Sequence, residues 1–216
     1  MLQTIDAQLA PAPRVAQARE LIDLGQIFEP ACNVVRCPRP RDPLLLAEAQ
    51  RLLADRTWRF AEACQPKDVA RALTARLPEG APRLILDVAH WVQVFADLSE
   101  AEWVGVRLAR LEQAMCPRFH VDQLELRLIL ICCGAGTELL AERDVDRRWL
   151  GHASGGLSDE GSGLIRAGGV IERAEVLEVV VLKGELWPGN QGRGAVHRSP
   201  AVSTAEPRLV LTLDPL

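Results

Sequence analysis

Phe119-His120-Val121-Asp122, with Ala195-Val196-His197-Arg198 far downstream, is the pair of segments on which the reading of this chain turns. Side chains alternate along a strand with period two, so a His-x-Asp on a strand sends its imidazole and carboxylate to one face. A histidine arriving from a distant strand adds a second imidazole. Two imidazoles and one carboxylate are the ligand set of a non-haem Fe(II) centre that keeps coordination positions open. His120, Asp122 and His197 are therefore the candidate metal ligands. The chain has four histidines, at 90, 120, 152 and 197. His90 lies off an apolar helical stripe and is expected at the surface or behind a ligand rather than as a ligand itself. Arg208 opens the run Arg208-Leu209-Val210-Leu211-Thr212-Leu213. A guanidinium beside such a metal suits a dicarboxylate co-substrate, which it can hold through paired hydrogen bonds. Thr212 shares the face of Arg208 by even spacing and is expected to add a hydroxyl.

Outward from these segments, the part from Cys116 onward reads as strands. Leu124, Leu126, Leu128 and Leu130 alternate with Glu125, Arg127, Ile129 and Ile131. Val176 to Leu182 is a near-continuous apolar run, the pattern of a strand buried on both faces. Leu186-Trp187 is expected as a short strand and Leu209 to Leu213 as the last one. Arg143 to Gly169 is polar, with seven glycines between 151 and 169, and is expected to be either a functional lid or disordered. The earlier part reads as mainly helical. Val15 to Leu24 fits a short helix and Asn33 to Arg36 a strand. Asp42 caps a helix with Pro43 at its first position, and Lys67 to Leu77 and Leu84 to Leu98 carry apolar residues at helical spacing. Ser99 and Glu102 read as a capping box opening a further helix through Val104, Leu108, Leu111 and Met115. The expected architecture is α+β: a helical part over 1–115 packed on a β-rich part over 116–216 that carries the metal site, the two forming one compact unit.

Composition narrows the classes. At 48% hydrophobic and 25% charged residues the chain is an ordinary globule. A net charge of −4 argues against a general nucleic-acid binder, which needs an excess of basic side chains for phosphate contacts. No stretch approaches the length of an apolar membrane span. Met1 to Pro13 lacks a basic segment followed by an apolar run, so a cytoplasmic location is expected. The six cysteines, at 32, 37, 64, 116, 132 and 133, then form no disulfide framework. Cys116 offers a rival reading: with His120, Asp122 and His197 it would close a tetrahedral zinc site with no open position. Arg198 should face away from His197. Arg127, in an apolar strand, should meet a buried acid or a co-substrate. Glu138 is either a partner of a ligating histidine or a solvated strand-end acid.

The strings Met115-Cys116-Pro117-Arg118-Phe119-His120-Val121-Asp122, Leu126-Arg127-Leu128, Gly134-Ala135-Gly136-Thr137-Glu138, Val196-His197-Arg198-Ser199-Pro200 and Arg208 to Asp214 resemble a bacterial family known as domain of unknown function 1826. The resemblance covers most of the chain and is most specific from about Asp87 onward. Members of that family look associated with zinc-responsive gene clusters beside metallochaperone-like GTPases. This implies a metal-linked role and a functional link to such a GTPase. The order His-x-Asp, long gap, His, then Arg also resembles the Fe(II)- and 2-oxoglutarate-dependent oxygenases. That resemblance implies a C-terminal double-stranded β-helix, a cupin-like jelly roll, with Fe(II) on His120, Asp122 and His197 and 2-oxoglutarate on Arg208 and Thr212. The implied function is oxygenation of a small-molecule or protein substrate. The alternatives are a non-catalytic zinc-binding protein of bacterial metal homeostasis and a degenerate β-helix that serves only as an interaction module.

Overall fold

The computed structural model describes residues 11–216, so most of the Met1–Pro13 segment lies outside the described residues. The strands among them are β1 (Arg14–Gln17), β2 (Cys32–Cys37), β3 (Phe60–Cys64), β4 (Val104–Leu111), β5 (Leu126–Cys133), β6 (Glu138–Leu140), β7 (Ile171–Arg173), β8 (Val179–Lys183), β9 (Val196–Arg198) and β10 (Arg208–Pro215). They form a seven-stranded sheet in the order β1-β2-β8-β5-β10-β4-β3 and a three-stranded sheet in the order β7-β6-β9. Only β1 and β2 run parallel; every other pairing is antiparallel. No described helix is long and apolar enough to cross a membrane.

Period-two alternation sorts the large sheet's two faces. Leu126, Leu128 and Leu130 of β5, with Leu209, Leu211 and Leu213 of β10, face the helices α1 (Pro43–Ala54), α2 (Val69–Arg76) and α3 (Pro82–Ser99), where Leu45, Leu52, Leu73, Leu84, Val88 and Phe95 complete the main core. Asp42 accepts from the N–H groups of Leu44 and Leu45 to start α1, a cap that contributes about 1 kcal/mol. The opposite face carries Ile129, Ile131, Val180 and Val210, which pack against Leu139 and Ala195 of the small-sheet side. The space between the two sheets is where the candidate site residues gather.

Three expectations are corrected. The helix read from Ser99 onward is the strand β4. Ser99 belongs to α3, its hydroxyl donating to the Phe95 carbonyl, and Glu100, at φ +53, ends the helix in the left-handed region. Val104, Val106 and Leu108 are then buried at period two. The segment read as a helix from Val15 to Leu24 is β1 followed by a 3₁₀ helix over Leu21–Phe28. Leu186-Trp187 lies in a turn rather than a strand. The division at 115/116 also does not separate helix from sheet. Four of the seven large-sheet strands come from before it, and β10 runs between β4 and β5.

Residues 143–169, expected to be a lid or disorder, fold as turns and short 3₁₀ segments. Val145 and Leu164 from this segment join Phe119, Leu140 and Val196 in a third apolar cluster.

Candidate metal centre

The backbones of His120 and His197 form an antiparallel bridge, each N–H donating to the other's carbonyl at 3.0 Å. That pairing brings the two imidazoles to a centroid separation of 4.5 Å. Asp122 completes the group. Its Oδ1 lies 3.4 Å from His120 Nε2 and its Oδ2 lies 3.3 Å from His197 Nε2. One ligand atom from each residue falls within 4.8 Å of the others. The structure thus brings together all three residues singled out in the sequence.

The local bonding decides which imidazole nitrogen is free. His120 Nδ1 sits 3.0 Å from the Arg118 carbonyl and His197 Nδ1 sits 3.1 Å from the Ala195 carbonyl. A carbonyl only accepts, so each Nδ1 carries the proton and donates. Both Nε2 lone pairs then point at a carboxylate, an arrangement that a cation between them satisfies. Burial by itself would raise the Asp122 carboxyl. Its contacts with His120, His197 and Arg127 nonetheless outweigh burial and hold it well below the usual carboxylate range. The donor set therefore fits a divalent metal of the two-histidine, one-carboxylate type. Cys116 is exposed, and among the described residues no cysteine joins the group.

The groups around the triad hold it in place. Arg127 Nη1 donates to Asp122 Oδ2 at 2.9 Å, and its Nε and Nη2 grip Asp214 at 2.7 and 2.8 Å. Arg198, on the far face from His197, meets Glu138 at 2.6 Å and lies over the Phe119 ring. Glu138 also pairs with Arg173; no histidine bonds to it, so it steadies β6 and β9 rather than a ligand ring. Asp159 is the residue that the sequence reading missed. It is 1% exposed. It accepts from Arg118 Nε at 2.6 Å, from the Phe119 N–H at 2.8 Å and from Arg198 Nη1 at 3.0 Å. One carboxylate from the irregular segment thus ties the residue before His120 to the residue after His197.

Arg208 is 4% exposed. Arg36, Arg127 and Arg198, its partly buried counterparts, all meet carboxylates, whereas Arg208 meets none among the described residues. It reaches only the Ala135 carbonyl, Thr137 Oγ1 and Ser199 Oγ, each at a stretched 3.4 Å, and its Nε is buried without a partner. Burial pushes its pKa down to about 10. Ser199 stands two residues beyond His197, a separation of about 7 Å along an extended chain. The hydroxyls beside Arg208 are those of Thr137 and Ser199. Thr212 is half-buried on the same face of β10, four residues further on, and none of these contacts reaches it.

The sequence profile of the family described as "Protein of unknown function (DUF1826)" matches residues 18–214. No functionally curated protein matches the sequence. Among solved structures, the chain is similar to the 2-oxoglutarate complex of dioxygenase for auxin oxidation 1 from Arabidopsis thaliana. The identity is 12% and the TM-score 0.52, over 95% of this chain and 92% of that one. It is also similar to a candidate oxygenase from Shewanella oneidensis, at 9% identity and a TM-score of 0.52, over 94% of this chain and 89% of that one. At these identities the likeness shows the fold alone: a mixed α/β chain whose β-sheet core is arranged as in those structures.

Proposed function

The chain belongs to the DUF1826 family, and for it we propose an Fe(II)- and 2-oxoglutarate-dependent oxygenase with its metal on His120, Asp122 and His197. The observation that carries this reading is Arg208. Burying a guanidinium without an anion costs several kcal/mol. A fold that keeps one there, beside a facial ligand set, is prepared for a carboxylate supplied by a ligand.

Each residue then has a task. The Nε2 atoms of His120 and His197 and one oxygen of Asp122 would hold the metal. Arg127 fixes the Asp122 carboxylate, and its grip on Asp214 keeps it from swinging away. The Arg208 guanidinium receives the far carboxylate of 2-oxoglutarate, and the Thr137 and Ser199 hydroxyls beside it turn towards that carboxylate as donors. Ile129, Ile131 and Val210 line the space between the sheets and keep water from the reacting groups. Bound there, iron with 2-oxoglutarate supplies the oxidising power for attack on a C–H bond. A closed zinc site gains no support from the geometry, because no described cysteine completes the set.

The test is turnover. Protein reconstituted with Fe(II) should convert 2-oxoglutarate to succinate in air, slowly without substrate. His197→Ala should abolish the conversion. Equal succinate from wild type and His197→Ala would remove this reading.

A further inference from the structure

The inner face of the large sheet does not stop at β10. It runs on over β4 and β3, where Ala61, Ala63 and Arg107 are exposed, so the small sheet leaves this part uncovered. The floor is made of the smallest side chains: Ala61 and Ala63 on β3, Gly105 and Ala109 on β4. Ala61 and Ala109 line a groove of about 370 Å³, and Ala61, Ala63 and Gly105 line an adjoining hollow of about 280 Å³ that reaches Asp214. The larger of the two is within the size range of small-molecule sites.

The groove is cationic in a chain whose net charge is −4. On its wall Arg56 and Arg110 both turn to Glu112, at 2.7 and 2.9 Å. Arg59 and Arg107 have no such partner. Nearly every other arginine side chain of this chain is ion-paired or hydrogen-bonded. Arg59 and Arg107 are neither among the described residues, yet both border the same groove. Arg107 stands opposite Ala61 in the β3–β4 ladder, and Arg59 precedes Ala61 by two residues. Both residues thus line the same groove.

The groove also leads to the metal centre. Arg107 pairs with Thr212 across β10, and Thr212 pairs with Ile129 on β5. Two residues before Ile129 is Arg127, which holds Asp122. With strands about 4.8 Å apart, the groove opens about 10 Å from the strand that supports the metal ligand.

We propose that Arg59 and Arg107 bind the anionic head of the oxygenase's substrate, a small molecule bearing a carboxylate or a phosphate. Its body lies across Thr212 towards the metal. This rests on the oxygenase reading for the word substrate, while the anion site itself stands on the groove alone. Thr212 then borders the substrate rather than the co-substrate.

Calorimetry on the full chain at fixed ionic strength tests it, with phenyl phosphate and benzoate as the two head groups and benzyl alcohol as the neutral control. At least one anion should bind with unit stoichiometry, and the tighter of the two identifies the head group. The neutral compound should not bind. Arg59→Ala/Arg107→Ala should weaken the anion at least tenfold, Arg59→Lys/Arg107→Lys should retain most of the affinity, and His197→Ala should leave it unchanged. Failure of both anions to bind wild type, equal binding by the alanine pair at an unchanged melting temperature, or loss in His197→Ala would each overturn the assignment. The oxygenase reading fails separately, if metal-loaded protein binds these anions but forms no succinate.

Discussion

Replacing Arg208 with methionine should stabilise the ligand-free protein while ending its affinity for 2-oxoglutarate. The guanidinium is 4% exposed and, among the described residues, faces no carboxylate. Burial alone pushes its pKa down to about 10, which sets about 3 kcal/mol against the charged form. At pH 7, below this and the ordinary arginine value, the group is charged in folded and unfolded chains, so the whole cost is present. It is relieved only as pH climbs through about 10 towards the higher value of an unburied guanidinium. Three stretched hydrogen bonds return part of it, and methionine keeps the apolar stem. A net gain of about 1–2 kcal/mol follows, or a rise in Tm of about 2–8 °C for a chain of this size. Urea and thermal unfolding of the metal-free proteins read this directly. With Mn(II) present, saturating 2-oxoglutarate should stabilise wild type by about 2.7 kcal/mol at a hundredfold excess over Kd, and the variant not at all. An Arg208→Met protein less stable than wild type by 1 kcal/mol or more would refute the reasoning, since Arg208 would then be a satisfied structural residue.

Asp159→Ala should cost about 3 kcal/mol in urea unfolding, because it orphans the Phe119 N–H and removes an anion that Arg198 uses. It should also weaken metal binding in a direct titration, as the two histidine strands lose their tie; Asp159→Asn should fall between. Gly134→Ala should lower both stability and 2-oxoglutarate affinity, read by melting and calorimetry. Gly134 sits at φ +85, and a Cβ there would lie 2.7 Å from the Pro207 carbonyl and 2.8 Å from Arg208 Cα, forcing β10 to shift. Cys116→Ser should keep full metal occupancy by elemental analysis, and loss of the metal would favour the zinc reading.

The three clustered residues were legible from their chemistry and motif order, although His120 sits at an isolated bridge to His197 rather than in the strand expected for His-x-Asp. β5 and α1 were legible from local pattern, one alternating cleanly and the other opening with Asp42-Pro43. β4 was not. Val104, Leu108, Leu111 and Met115 fit a helical stripe as well as Val104, Val106 and Leu108 fit a strand, and short apolar runs leave that ambiguity open. What decides it is long-range, since β3 and β10 pair with β4 from either side. Asp159 gave no local signal either, lying among glycines, with partners some forty residues away in sequence. Arg208 was found by its place in the motif order, but the hydroxyls that touch it, Thr137 and Ser199, come from two other segments that no spacing rule connects to it.

The central claim is a metal and a dicarboxylate held side by side, and anaerobic titration of the Fe(II)-loaded protein with 2-oxoglutarate tests it most directly. The account predicts a visible charge-transfer band that saturates at one 2-oxoglutarate per chain and is absent in His197→Ala and Arg208→Met. Iron-loaded wild type that develops no band and shows no 2-oxoglutarate binding by calorimetry would contradict it.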